Sequence, residues 1–479
     1  MAVDPEVVMP SVAANLARGL QFDARGLGAY VQYWCRTSSG DIWDRMGYNP
    51  GSDFGGEKWR THYWNLGQNL NNVIRDGKIQ GKADYVGVSY AIFAWSWLLL
   101  TDYHGDVILK QAFETDRLTF DYDKQEDVYA YIPQLCDSAI KYLTIAQNLG
   151  TGTLANGDKY IYGGNISRWI KFAHGVRAKL YHRYIMKPNY QPDSVIKYVD
   201  LSFANSSDDA TIKFDNGTFS DGANFYGQRR NNLGTYRQTN YLIGLMNGTT
   251  FPGAFDPRLS YIFKSSGDGT FRGLNPNSGE STTLPTAQKT FNFFGTVSTT
   301  VPAVDTARTY FKNTSPFPIL TYTELQFEKS EAAFKKGNKN LALAAYRSGI
   351  LGSFDQLTSQ FTGYKTITTT DRDSYLNNPS VSPADANLLT LRHIMLQKYV
   401  SIWPYGMEET WVDLRKYKYD TTVYRGFTPV ASLYPDNGGK LAQRVRPRYN
   451  SEYLWNVESL KLIGATNLDY HTKPVWFSE

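Results

Sequence analysis

At 479 residues the chain can bury a sizeable core, and no Pro/Gly/Ser linker or charge block divides it, so positions 1–479 read as one large body. Its 50 basic against 45 acidic residues leave a formal charge of +5 without a run of five like charges, which excludes the electrostatic footprint of a nucleic-acid binder. Aromatic content is high at 15 %, with 35 Tyr and 11 Trp, enough to furnish a binding surface as well as a core.

The chain opens Met1-Ala2-Val3-Asp4-Pro5, with neither a basic stretch nor an apolar one, so a signal peptide is expected either to have been removed or never to have existed. Between Lys58 and Asp76 the pattern predicts an amphipathic helix, and a second follows through Tyr85, Phe93, Trp97 and Leu100, apolar nearly all round and therefore central. The longest apolar run, Val86 to Leu100, is broken by Ser89, Tyr90 and Ser96 and is shorter than the ~20 residues of a spanning helix, so the chain is expected to be soluble. Asp123 with Glu126 suggests a capping box. Val128, Ile132, Leu135, Ala139, Leu143 and Ala146 then fall on one stripe, with Pro133 inside it. Trp169, Ala173, Val176, Leu180 and Tyr184 draw the next stripe, ended by Pro188, and Pro192 to Asn205 supplies a further helix.

From about Ser206 to Pro318 the texture changes to short β-prone pieces between Gly, Asn, Asp, Pro and Thr, too aromatic to be disordered. Helices return at Tyr322 to Lys336 and Asn338 to Leu357, joined by a Lys-Lys-Gly-Asn turn. Ala332, Ala333, Ala342, Ala344 and Ala345 sit where the two must approach, so the pair resembles a tetratricopeptide hairpin. Pro383 with Asp385 predicts another helix start, with Leu388, Leu391, Met395 and Ile402 as its buried stripe. The predicted fold is mainly α: helical hairpins over 58–205 and 319–417, a loop-rich region with short strands over 206–318, and an irregular tail over 418–479.

Motifs for catalysis and cofactors are weak. Cys35 and Cys136 have no CxxC spacing and read as two free thiols or one disulfide, free thiols being favoured, and the six histidines form no HExxH or comparable metal pattern. Gly150-Thr-Gly152-Thr-Leu-Ala155 matches a relaxed dinucleotide fingerprint but follows a helix and precedes a loop. No cofactor and no metal are expected. Glu324, Glu328 and Glu331 share one helix face and read as a solvated or ion-paired stripe, while Glu408 and Glu409 read as first-turn charges.

Several segments resemble, in order, the SusD/RagB family. Thr321-Tyr-Thr-Glu324 through Glu331-Ala-Ala to Gly337 is similar to its signature helix, and Tyr346-Arg-Ser-Gly349-Ile350 to the helix that follows. Gln397-Lys398-Tyr399 with Glu408-Glu409-Thr-Trp411-Val-Asp413-Leu-Arg415 is similar to the late helices, and Arg446-Pro447-Arg448-Tyr449 to the C-terminal motif. Trp169-Ile-Lys-Phe-Ala173 with Arg177 matches the mid-chain helix, with His174 where Asn is frequent. The resemblance implies a tetratricopeptide-based α-α superhelix and a non-catalytic binding protein on the outer membrane of bacteria. Such a protein delivers glycans or other oligomeric nutrients to a SusC-like TonB-dependent transporter. A lipid-bearing N-terminal Cys is implied in a longer precursor, since Cys35 lies too deep to serve.

A sugar ring offers an apolar face and a rim of hydroxyls, so capture calls for exposed rings beside Asp, Asn or Arg. Three aromatic loops qualify, and from them the candidate ligand-binding residues are Trp43, Tyr48, Asp53, Phe54, Arg229, Phe293 and Phe294. Two other readings compete. An all-α glycoside hydrolase or polysaccharide lyase would need two opposed carboxylates in a cleft, and a tetratricopeptide adaptor gripping peptides would need regular consecutive repeats.

Overall fold

The computed structural model describes residues 3–49, 51–215, 222–302 and 304–479. Among them are sixteen α-helices and four short strands. A 26-residue helix, α1 (Pro5–Tyr30), opens the chain, with Asp4 capping it by accepting the Glu6 N–H. Sequence periodicity did not flag α1, because it is buried on several sides and interrupted by Pro10 and by Gly19, Gly26 and Gly28. Those glycines are what allow close packing. A Cβ at Gly28 would lie 2.3 Å from the Trp34 ring, and one at Gly26 2.7 Å from Trp43.

Helix α2 (Glu57–Arg60) runs through a π-helical stretch, Thr61–Gly67, into α3 (Gln68–Ile79). Then comes α4 (Ala83–His104), the central helix. Among the described residues it is the one helix long and apolar enough to cross a membrane, and 89 % of that window is buried inside the protein. It packs against α5 (Gln125–Leu149), where Gly87 lets Leu143 approach. The helix α5 starts at Gln125 without a capping box, because the Asp123 carboxylate instead accepts the backbone N–H groups of Leu109 and Lys110, each at 2.9 Å. After the single-turn α6 (Leu154–Gly157), α7 (Ile166–Arg183) and α8 (Pro192–Asp200) complete the first helical layer.

The middle of the chain holds α9 (Asn240–Met246), α10 (Pro257–Ile262) and the strands. β1 (Trp34–Arg36) pairs antiparallel with β3 (Tyr236–Gln238), and β2 (Ala210–Ile212) with β4 (Phe317–Leu320), which staples this loop-rich stretch to the helices. The hairpin of α11 (Tyr322–Lys336) and α12 (Lys339–Gln360) turns at Gly337, whose φ of +85° is left-handed, and Asn338 caps α12 through the Leu341 N–H. After α13 (Thr369–Leu376), α14 (Leu391–Ser401) begins eight residues later than Pro383 suggested. Its cap is Thr390, and Leu388 lies exposed in a 3-10 turn. The chain closes with α15 (Met407–Lys416) and α16 (Val457–Leu462). Cys35 and Cys136 are free and buried.

The acidic face of α11 is not solvated: Glu324, Glu328 and Glu331 are all buried, inside an ion network that joins five helices. Glu409 of α15 accepts from Lys398 of α14 at 2.8 Å, from Lys179 of α7 at 2.7 Å and from both terminal nitrogens of Arg183 at 3.0 and 2.6 Å. Arg183 also reaches Asp102 of α4 at 2.8 Å. Lys179 pairs with Glu324, and Glu331 holds His182 at 3.0 Å and Lys416 at 2.9 Å, with a short bond from the Tyr417 hydroxyl. Such charges are tolerable only because each has partners. Glu409→Gln strips Arg183, Lys179 and Lys398 of their shared counterion, and a loss of about 3–5 kcal/mol in unfolding free energy by urea titration is expected.

Glu328 is the strained member. No hydrogen-bond donor reaches either carboxylate oxygen, Lys179 stands 3.7 Å away, and burial followed by the nearby Glu409 charge pushes its pKa from 4.5 to about 7. Between those values the folded chain holds a proton that the unfolded chain has lost, so this group's contribution to stability falls as pH rises through that window. Glu328→Gln is therefore expected to melt above wild type at roughly pH 8 and to lose that advantage toward roughly pH 5. A pH series of melting temperatures reads this out.

Candidate ligand-binding groove

The groove starts from an unusual helix start. Buried Asp23 of α1 accepts the backbone N–H groups of Glu57 at 3.3 Å and Lys58 at 2.8 Å, satisfying two donors at the beginning of α2. Burial pushes the Asp23 carboxyl up to about 7. Lys58 turns inward to form a buried pair with Glu408 of α15. The next residue, Trp59, packs its ring on Tyr63 at 4.8 Å and on Tyr122 at 6.0 Å.

The π stretch then changes the helical phase, a distortion that recurs at functional sites. His62 and Leu66 stay buried, His62 bonded to the Ser96 hydroxyl at 2.7 Å with its pKa lowered to about 3 by burial. Between them Trp64 points out, 76 % exposed. Gly67 is required here because the Phe113 ring lies 2.3 Å from where a Cβ would stand.

A groove of about 410 Å³ lies alongside, lined by Trp59, Tyr63, Trp64, Phe120, Arg448 and Glu452 among others. Tyr63 is locked by its hydroxyl to the Ile108 carbonyl at 2.7 Å. Glu452 accepts from Tyr122 at 2.7 Å and Asn456 at 2.9 Å, and its pKa is raised by burial against those bonds. Two faces result, one of rings and one of fixed polar groups. Among the described residues lining the groove, Glu452 is the one carboxylate, so the opposed pair that glycoside hydrolysis uses at ~5 to 9 Å is not assembled there.

The aromatic residues singled out in loops behave differently. Trp43, 6 % exposed, is wedged between Tyr30 at 5.3 Å, Tyr48 at 5.5 Å and Phe54 at 5.1 Å, with Tyr48 only 2 % exposed. Phe293 stacks on Phe311 at 4.5 Å and Phe294 is fully buried. The Asn292 side chain accepts the N–H groups of Phe294 and Thr296, tightening the turn that tucks these rings inward. Trp43, Tyr48, Phe293 and Phe294 are thus core residues and offer no exposed face, contrary to the reading of them as surface platforms. Phe54 is half-buried, with the Arg25 guanidinium 4.5 Å from its ring and 4.1 Å from that of Phe22. Phe22 also meets Phe225 at 5.4 Å, so the loops of Phe54 and Phe225 converge on α1. Arg229 is exposed, its backbone N–H held by Asn313.

Asp53 connects the predicted loop to the observed groove. It accepts from Arg448 at 2.5 Å, from the Asn450 N–H at 2.8 Å and from the Asn450 side chain at 2.6 Å. Tyr63 and Trp64 were missed because they sit on a helix. The available signal was that Trp64 lies midway between His62 and Leu66, off the buried stripe of an amphipathic helix.

Metal ligation has one geometric candidate among the described residues. His182, Glu328 and Glu409 bring ligand-type atoms within 4.8 Å, but Lys179, Arg183 and Lys398 already surround Glu409 and take the place of a cation.

The structure is a helical scaffold with a ring-lined groove on its surface. The chain matches over residues 3–430 the SusD-like family described as starch-binding associating with outer membrane, and it belongs to that family. In structure it is similar to a SusD/RagB family protein from Bacteroides thetaiotaomicron, at 20 % identity and TM-score 0.75, covering 99 % of each chain. It is also similar to a SusD homologue from Bacteroides uniformis, at 20 % identity, TM-score 0.72 and 99 % of each chain. A third likeness is to a chitin-binding SusD homologue from Flavobacterium johnsoniae, at 19 % identity, TM-score 0.70, covering 99 % of this chain and 96 % of that one. No curated protein sequence matches it.

Asp53→Ala removes one acceptor that serves three donors at a partly exposed site. The expected effect is about 1 kcal/mol of stability, with faster amide exchange over 51–56 and 448–452, measured by mass spectrometry.

Proposed function

We propose that this protein captures a glycan without cleaving it, laying sugar rings on Trp64 in the groove between the start of α2 and the segment carrying Arg448 and Glu452. The observation that carries this reading is Trp64, a large ring left 76 % exposed on a helical stretch where His62 and Leu66 are buried. An aromatic face supplies the apolar platform for a pyranose, and Arg448 and Glu452 are held at its edge for hydroxyls. The family description as starch-binding and the chitin-binding neighbour support a polysaccharide ligand. A shallow site of this size favours weak binding to repeated units, because little area is gained against the cost of ordering the ligand.

The same family membership supports a station at the bacterial outer membrane, lipid-anchored at the cell surface, with a SusC-like TonB-dependent transporter as the partner that receives the ligand. Neither the loop-rich middle nor the irregular tail favours a peptide-gripping array of regular repeats.

Affinity-gel and calorimetric screens over starch, chitin oligosaccharides and other polysaccharides test the reading. Trp64→Ala is expected to weaken binding of the best ligand by at least about tenfold while leaving the melting temperature unchanged. Undiminished binding by that variant would remove the groove, and release of new reducing ends during incubation would overturn the non-catalytic reading.

A further inference from the structure

A second and larger cleft, of about 760 Å³, opens between the end of α11, the first turn of α14 and the segment that follows α15. It shares no lining residue with the Trp64 groove. Its charge is one-sided, since Lys335, Arg392 and Arg425 line it against one carboxylate, Asp420. Among the described residues none of these three cations forms a salt bridge, whereas the buried Lys179, Lys398 and Lys416 each pair with a carboxylate. Asp420 accepts the Thr422 N–H at 2.7 Å and makes no ion pair with any of the three, so one carboxylate stands among three cations.

The geometry of the cations suits a planar anion. Arg392 is oriented by a bond from its Nε to the Thr422 carbonyl at 2.8 Å, which leaves its terminal nitrogens for a ligand. His393 next to it accepts the Thr390 backbone N–H on Nδ1 at 3.2 Å, so the neutral ring carries its proton on Nε2 and is a further donor. Burial, followed by the Arg392 charge, lowers the His393 pKa, as a cation-rich wall should. The lining also holds hydroxyls and rings, Ser380 and Thr422 with Phe251 and Tyr417, beside an aliphatic part that includes Leu391 and Leu396. A guanidinium fork pairs bidentately with a carboxylate, and hydroxyls with a ring match the remainder of a sugar.

We propose that this cleft is a second binding site that takes a uronate-type sugar, its carboxylate held by Arg392 and Arg425. The site is independent of the neutral-sugar groove and extends the range of ligands to acidic saccharides.

Calorimetric titration of the full chain with trigalacturonate, maltotriose, sodium sulfate and a tetraglutamate peptide tests this. Trigalacturonate should bind, more weakly as salt rises, and Arg392→Gln with Arg425→Gln should weaken it by about tenfold or more, while Trp64→Ala leaves it unchanged. Absence of trigalacturonate binding overturns the proposal, as does equal binding by the double variant. Loss of binding in Trp64→Ala would assign the acidic sugar to the groove instead. Sulfate binding as tightly as trigalacturonate would mean a simple anion site, and tighter binding of the peptide would mean a peptide site. Should the double substitution lower the melting temperature, Arg425→Gln alone, at an exposed position, carries the same comparison.

Discussion

The structure depends on a buried exchange of charge between helices far apart in sequence. Glu409 is the hub, receiving cations from α7 and α14, and through Arg183 the central helix α4 is tied in at Asp102. Buried pairs of this kind contribute little net stability over a well-packed apolar core. What they impose is register, because a helix displaced by one residue would leave a carboxylate or an ammonium without its partner in a dry interior. Three helices of the second half, α11, α14 and α15, therefore lock to α4 and α7 of the first layer at one relative position.

That lock extends to the groove. Glu408 and Glu409 are neighbours in the first turn of α15, and they take different partners: Glu409 the cations of the network and Glu408 Lys58. Lys58 immediately precedes Trp59, and its backbone N–H is held by Asp23 from α1. The helix that presents Trp64 is thus fixed from two sides before its phase shifts through the π stretch. Exposing a tryptophan costs apolar burial, and an anchored helix start is what keeps that ring from collapsing onto the surface.

Much of the helical architecture was legible because amphipathic stripes repeat at the right spacing. The hairpin of α11 and α12 was anticipated within a few residues, from the start of α11 at Tyr322 through the Gly337 turn. What failed did so for identifiable reasons. Helix α1 has no single polar face, since other elements cover it on several sides, and periodicity needs a solvent side to be visible. The acidic stripe of α11 read as solvated or ion-paired, and the choice between the two stayed open because its cations lie on α7 and α15, about 80 to 150 positions away, and spacing along one helix carries no information about such partners.

Four candidate rings, Trp43, Tyr48, Phe293 and Phe294, were misread for the converse reason. Rings among Gly and Pro resemble surface loops, yet glycine is also the residue that lets a large ring sink against a backbone, as Gly26 and Gly55 do for Trp43. A loop rich in both Gly and Trp is therefore ambiguous between a platform and a plug. A tryptophan at a polar phase of an amphipathic helix is less so, because the helix itself declares which side is wet. Trp64 meets that test between His62 and Leu66, whereas Trp43, Phe293 and Phe294 have no surrounding periodicity to test against. In a helical scaffold, the phase of the helix is thus a better guide to an exposed binding ring than the composition of the loops.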